Sequence, residues 1–286
     1  MMPTGKTVVC GIIGDPIEHS MSPVMQNAAF EAADIDWVYV AFKVGRESLA
    51  MAVAGMRALN LRGLNVTVPH KVDIMPYLDA IDPVARRIGA VNTIVNDKGR
   101  LLGYNTDAAG FVHAIEAAGL EVGGRRVIVL GAGGGARAVA YSLADLGAVP
   151  VIVNRTPSRA KSLAEDVARD TGIGASWSEL TPAAVDELAL SAVLIVNTTP
   201  VGMSPRSGES PCPSAVMRRD LAVCDIVYNP LQTALMRDAE AAGARTISGL
   251  EMLVGQGARA FELFTGLDAP VDVMREAVLT ELHCGA

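Results

Sequence analysis

Gly131-Ala132-Gly133-Gly134-Gly135-Ala136, directly after Arg126-Val127-Ile128-Val129-Leu130, is the stretch that decides the fold. The apolar run from Val127 to Leu130 reads as a buried strand. It enters a glycine-rich turn, and a helix can start at about Gly134. That order suits the pyrophosphate of a dinucleotide. Glycine permits close backbone approach, and the free N–H groups of a first helical turn face the phosphates. An ordinary strand-to-helix turn has the same order, so the neighbouring sequence has to decide.

The next apolar run, Val149-Pro150-Val151-Ile152-Val153, reads as the following parallel strand and ends in Asn154-Arg155-Thr156, with Arg159 beyond. An NAD site usually places Asp or Glu here against the ribose 2′-hydroxyl. No acid stands at this place. Two guanidinium groups suit the dianionic 2′-phosphate of NADP, with Asn154 and Thr156 as further hydrogen-bonding groups. Thr156 and Pro157 also read as the cap and first position of a helix. The two readings are compatible.

The 286 residues allow one large or two medium domains, and half of them are apolar, enough for substantial cores. The net charge of −7 and the absence of a Lys/Arg cluster argue against a nucleic-acid surface. The chain begins without a long apolar leader, and no run of about 18 apolar residues suggests a membrane span. Cys10, Cys212, Cys224 and Cys284 lack C-x-x-C spacing, which points to a reduced, cytoplasmic protein. The four histidines are scattered, so no metal site is expected.

Strand and helix signals alternate, which predicts parallel βαβ units throughout. In the first block the patterning predicts strands at 8–13, 37–42 and 63–68, and helices at 23–33, capped by Ser22, and 47–59. Residues 90–95 and 100–102 flank Asn96-Asp97-Lys98-Gly99, a hairpin turn, and a helix follows at 108–118. The second block is predicted to hold strands at 126–130, 149–153, 193–197 and 222–227, with helices at 134–146, 157–169, 178–188 and 232–242. Two final helices, 250–264 and 270–283, have no strand of their own and are expected to pack back on the first block. The stretch 204–213, with three prolines, reads as a surface loop near the cofactor edge.

Four polar clusters lie at predicted strand ends of the first block: His19–Pro23, Asn65–Lys71, Ala90–Thr93 and Gly103–Asp107. Ligands in open α/β sheets bind beyond the C-terminal strand ends. The clusters converge there only if their strands are neighbours. Their hydroxyls, amides, ammonium and carboxylate suit a small polyhydroxylated acid. Lys71 and Asp107 stand out as a proton donor and its orienting carboxylate for a carbonyl reduced by hydride, or as a structural ion pair. Ser22 can also be a plain helix cap. Asn65, Asn92 and Asn105 can bond loop backbone. Gln256 is a surface amide or a substrate contact, and Tyr228 packs or reaches the ligand.

Taken together, these motifs resemble the shikimate dehydrogenase family over nearly the whole chain: Gly14-Asp15-Pro16 with His19–Pro23, Asn65–Pro69 with Lys71, Ala90–Thr93, Asn105–Asp107, Gly131–Arg137, Asn154–Thr156, Tyr228-Asn229-Pro230 and Gly249–Gln256. The resemblance implies reversible reduction of 3-dehydroshikimate to shikimate with NADPH. It makes Lys71 the acid/base residue and Asp107 its partner. Ser20 and Ser22 take the substrate carboxylate. Asn65, Thr67, Asn92, Asp107, Tyr228 and Gln256 line the ring hydroxyls. Gly131, Ala132, Gly133, Gly134 and Gly135 cradle the pyrophosphate, Asn154, Arg155, Thr156 and Arg159 hold the 2′-phosphate, and Ile226 and Gly249 lie along the nicotinamide half. Gly135 and Gln26 depart from the family's commoner residues, Ala or Ser and His respectively. The implied architecture is two-domain α/β: an open α/β substrate domain, 1–106 with 249–286, and a Rossmann-type NADP-binding domain, 107–248. The implied partner is a small-molecule substrate, shikimate or 3-dehydroshikimate, with no nucleic acid and no membrane; a homodimer is compatible. The rival readings are a quinate/shikimate dehydrogenase using NAD(P), a relative acting on an amino-substituted shikimate, and a non-catalytic NADP-binding sensor.

Overall fold

The computed structural model describes residues 2–284. The chain divides into two compact units, one of residues up to Gly110 with those from Val254 onward, the other Phe111–Leu253. The elements in chain order are β1 (Val8–Gly14), α1 (Ser22–Ala32), β2 (Trp37–Lys43), α2 (Leu49–Ala58), β3 (Gly63–Val66), β4 (Ala80–Ile81), α3 (Pro83–Ile88), β5 (Thr93–Asp97), β6 (Arg100–Tyr104) and α4 (Asp107–Ala117). They continue with β7 (Arg126–Leu130), α5 (Gly134–Asp145), β8 (Val149–Asn154), α6 (Pro157–Thr171), β9 (Ser176–Glu179), α7 (Pro182–Ala189) and β10 (Ala192–Asn197). The last are β11 (Ala222–Asp225), α8 (Ala234–Ala241), β12 (Thr246–Ser248), α9 (Gly249–Thr265) and α10 (Val271–Cys284).

The first unit holds a six-stranded sheet in the order β2-β1-β3-β5-β6-β4. β1 runs parallel to β2 and β3, whereas β5 is antiparallel to both β3 and β6. The expectation of parallel units throughout is therefore corrected here: the sheet is mixed. The hairpin is the cause. Lys98 and Gly99 both have positive φ, 54° and 92°, the geometry of a tight turn whose twist matches the strands it joins. The reversal has a functional consequence. It brings the start of β5 to the same sheet edge as the end of β3, with Asn65 opposite Thr93 and Thr93 opposite Tyr104. All four polar clusters thus meet at one edge, because β1, β3, β5 and β6 are neighbours. A core of Ile13, Val53, Met56, Leu64, Ile94 and Leu101 lies beneath. On α1, Phe30 packs against Phe261 of α9 with ring centroids 5.7 Å apart, and α10 packs along α1.

The second unit is a parallel sheet, β12-β11-β10-β7-β8-β9. Val127 to Leu130 and Leu194 to Val196 are fully buried, as expected of central strands covered on both faces. Strand order reverses between β7 and β10, the switch point where such sheets bind ligands. Several boundaries differ from the sequence reading. The expected helix 178–188 begins only at Pro182, where Thr181 caps it by accepting from Ala184 N–H at 3.2 Å. Ser176–Glu179 instead forms the short edge strand β9, mostly exposed, where Trp177 stands alone among Ser176, Ser178 and Glu179 and makes no apolar run. The expected strand 222–227 ends at Asp225, and Thr246–Ser248 adds a further edge strand. Ser22 is not the cap of α1: Met21 holds that position and Ser22 is the first helical residue.

Candidate active site

The loop after β3 presents Lys71. Its backbone is tied from three sides. His70 N–H donates to Thr67 O at 2.9 Å, the buried His70 ring contacts Val44 O through Nε2 at 2.6 Å, and Val91 N–H donates to Lys71 O at 2.8 Å. Asp107 opens α4, where the helix N-terminus favours a carboxylate. Lys71 Nζ donates to Asp107 Oδ2 at 2.5 Å, with the two side chains 17% and 7% exposed. Asn92 Nδ2 donates to the other carboxylate oxygen, Oδ1, at 2.9 Å. One carboxylate is thus held on both oxygens, which fixes the direction of the ammonium.

Behind this pair runs a buried polar network. Asn92 Nδ2 also donates to Thr106 Oγ1 at 2.9 Å, and Asn92 Oδ1 accepts from Thr106 N–H at 2.7 Å and Thr93 Oγ1 at 3.1 Å. Asn65 Nδ2 donates to Thr93 Oγ1 at 2.9 Å, and Asn65 Oδ1 accepts from the Tyr39 hydroxyl at 2.6 Å. Burial pushes the Tyr39 phenol well above its ordinary range, so it stays a neutral donor. A continuous chain therefore links Tyr39, Asn65, Thr93, Asn92, Asp107 and Lys71. Fully satisfied buried networks of this kind rigidify the groups they connect. Thr93 and Thr106 belong to two of the polar clusters without a role of their own in the sequence reading, and Tyr39 lies outside all of them. Tyr39 lies inside an apolar strand, and nothing local marks its hydroxyl as a partner.

The other expected substrate residues are distributed as follows. Ser20 Oγ accepts from Ser22 N–H at 3.3 Å, so the two serines share one turn at the start of α1. Thr67 is half-buried, its N–H bonded to Ile13 O at 2.9 Å. Gln256 is half-buried on α9, beside Gly257, whose carbonyl accepts from Gln26 Nε2 at 2.9 Å. Asn105 serves the backbone, donating to Ala90 O at 2.9 Å and accepting from Ala108 N–H. Tyr228 belongs to the second unit, in the loop after β11.

In the second unit the glycine turn follows β7 at the sheet's switch point. Gly131 has φ +115°, and a Cβ there would lie 2.5 Å from Thr198 Oγ1, so a side chain is excluded twice over. Gly133 caps α5 with no side-chain hydrogen bond, leaving the first-turn N–H groups to a ligand. A Cβ on Gly133 would meet nothing within 4 Å, so the backbone here is open to close approach. Ala132 and Gly134 are half-buried alongside. Gly135 faces Ile226, whose Cδ1 would sit 3.4 Å from an added Cβ, ordinary contact. Gly249 lies so close to the Ile226 carbonyl that a Cβ would fall 2.6 Å from it. At the end of β8, Asn154 Nδ2 donates to Thr156 O at 3.1 Å, and Thr156 takes the cap position of α6 without a side-chain bond. Arg155 and Arg159 are exposed there, and neither has an ion-pair partner among the described residues. Unfilled helix donors and two uncompensated guanidinium groups, in a chain of net charge −7, fit a phosphorylated dinucleotide.

Among the described residues no cluster of His, Cys, Asp or Glu could hold a metal, and no helix is long and apolar enough to cross a membrane. Cys10, Cys212 and Cys224 are buried and free; burial pushes the Cys10 and Cys212 thiols up to about 12.

Two family models match the chain: the shikimate dehydrogenase substrate binding domain over residues 12–94 and the shikimate 5'-dehydrogenase C-terminal domain over residues 249–279. A shikimate dehydrogenase (NADP(+)) of Desulforamulus reducens is 48% identical over 284 residues, covering 98% of each chain. A crystal structure of a shikimate dehydrogenase in complex with NADP+ superposes with a TM-score of 0.93 at 42% identity, covering 98% of both chains. That of the shikimate 5-dehydrogenase from Thermus thermophilus, in complex with NADP(H) and shikimate, gives 0.84 at 39% identity, covering 96% of this chain and 99% of that one. Identity of this order along the full length, over two units that each reproduce the expected motifs, leaves one assignment: the chain belongs to the shikimate dehydrogenase family.

Proposed function

We propose that the chain catalyses the reversible, NADPH-dependent reduction of 3-dehydroshikimate to shikimate. The observation that carries this reading is the Lys71–Asp107 pair at 2.5 Å, set in the polar network at one sheet edge. The relatives named for this NADP-dependent activity support it. NADPH, when bound, supplies the hydride to the ring ketone. Lys71 supplies the proton to the oxygen that gains charge, and Asp107 orients the ammonium. Ser20 and Ser22 bind the carboxylate. Asn65, Thr67, Asn92, Asp107, Tyr228 and Gln256 bind ring hydroxyls. These roles assign substrate to the unit that contains Lys71 and NADP to residues 111–253, with Gly131–Gly135 on the pyrophosphate, Asn154, Arg155, Thr156 and Arg159 on the 2′-phosphate, and Ile226 and Gly249 on the nicotinamide half. Three buried free thiols suit a reducing cytoplasm.

A sensor of NADP has no need of a proton donor, so the intact pair speaks against that rival. The absence of an acid after β8 speaks against a preference for NAD. The test is turnover of shikimate with NADP+, followed by NADPH absorbance, with quinate and NAD+ run beside it. Turnover confined to quinate or to NAD+ would replace this reading, and none with any combination would reject it.

A further inference from the structure

We propose that Asp225 is a positioning residue: its buried carboxylate ties the loops after β10 and β11 into one rigid platform beside the glycine turn, for the nicotinamide half of the cofactor. The proposal rests on the NADP reading of the second unit. Asp225 is 0% exposed at the end of β11, after Ala222-Val223-Cys224. Its Oδ1 accepts from Asn197 Nδ2 at 2.9 Å and from Val227 N–H at 3.0 Å, and its Oδ2 accepts from the Thr233 hydroxyl at 2.7 Å. These three donors come from three places: the end of β10, the loop after β11, and the cap of α8.

The ties extend to the cofactor turn. Asn197 Oδ1 accepts from both the N–H and the hydroxyl of Thr199, at 3.0 and 2.7 Å. The neighbouring Thr198 donates from its hydroxyl to Leu130 O at 2.6 Å and stands against Gly131. On the other loop Ile226 N–H donates to Asn197 O at 3.1 Å, and the Ile226 side chain stands against Gly135. Thr198 and Ile226 therefore flank the glycine turn, and Asp225 holds the backbone that carries both.

Burial raises Asp225 to about 6, so holding it ionised costs folding free energy, yet an apolar residue here would leave the Asn197, Val227 and Thr233 donors buried and unpaired. Three donors converging from separate segments do require two acceptor oxygens at this point. A preorganised loop pair reduces the ordering cost of binding, and its loss appears as weaker affinity for the part of the ligand it contacts.

The experiment compares NADP+ with adenosine 2′,5′-bisphosphate, which carries the 2′-phosphate and no nicotinamide, by titration calorimetry. Asp225→Ala should weaken NADP+ by roughly tenfold, about the cost of ordering one or two freed segments. The bisphosphate should bind as before. Asn197→Ala removes the same tie from the other side, should show the same selective loss, and serves where Asp225→Ala does not fold. Asp225→Asn keeps the Oδ1 acceptor for Asn197 and Val227 and should recover most of the affinity. Equal weakening of both ligands would make Asp225 merely structural, and unchanged NADP+ affinity would remove the role; either result overturns the proposal. A wild-type protein that binds neither ligand would fail the NADP reading before any variant is compared, and the proposal would fall with it.

Discussion

Lys71→Ala removes the proposed proton donor and strands its partner. Asp107 would keep one side-chain donor, Asn92 Nδ2 at 2.9 Å. Its own side chain is 7% exposed. Removing one partner of a fully buried pair costs about 3–5 kcal/mol of stability. The 17% exposure of Lys71 admits water to the vacated side, which brings the expected cost down to roughly 1–3 kcal/mol. The catalytic loss is separate. A missing acid/base group lowers kcat by roughly 10²–10⁴-fold, equivalent to about 3–5 kcal/mol of transition-state stabilisation. The two effects are read on different instruments: unfolding midpoints give the first, and initial rates of shikimate oxidation per folded enzyme give the second. Shikimate KM should move little, since the serines and asparagines remain. The decisive comparison is with Asp107→Ala and the double variant. If Asp107 acts through Lys71, the double variant loses hardly more kcat than Lys71→Ala alone. It should also regain part of the lost stability, because no orphan carboxylate remains. A Lys71→Ala enzyme that keeps more than half of wild-type kcat, or a double variant whose loss is the product of the two singles, would refute the reasoning.

Arg155→Asp should lower kcat/KM for NADP+ by roughly ten- to a hundredfold and leave NAD+ unchanged or improved, since it replaces a phosphate donor by an acceptor for the ribose hydroxyl; equal wild-type efficiency with both cofactors would contradict this. Ser20 and Ser22 present two short donors in one turn, which should favour the planar carboxylate of shikimate over the tetrahedral carbon of quinate by a large factor. Comparable kcat/KM for the two acids at one pH would place the chain in the quinate/shikimate branch. Asp225 is raised from 3.8 to about 6, so the native state holds its proton more tightly than the unfolded chain. Wild-type stability, relative to Asp225→Asn, should fall as pH rises from about 4 to about 6, by roughly 3 kcal/mol in total. A difference between the two proteins that does not change across this window in denaturant titrations would rule out the buried ionisation.

The features legible in the sequence are those written in contiguous residues. The apolar run 127–130, the glycines after it and the helix start at Gly134 are local signals, and each lies where the periodicity puts it. The hairpin at Lys98-Gly99 is equally local, since two positive-φ residues make that turn wherever they occur. Arg155 at the end of β8 needs only the strand before it. β9 and β12 escaped because short edge strands lack an apolar run. Ser22 slipped by one position because a proline suits either of the first helical places.

What tertiary structure decided is which clusters are neighbours. Lys71 and Asp107 lie 36 residues apart, and their approach depends on β5 lying antiparallel between β3 and β6. Strand order is a property of pairing between distant segments, which no local pattern encodes. The same holds for Tyr39, whose hydroxyl finds Asn65 across 26 residues, and for Asp225, which gathers donors from three segments. The sequence by itself determined the chemistry available: a glycine-rich turn, two arginines with no acid beside them, one ammonium and one carboxylate. The fold decided the distances and the burial, because hydrogen bonds and desolvation act between groups adjacent in space, whatever their separation along the chain.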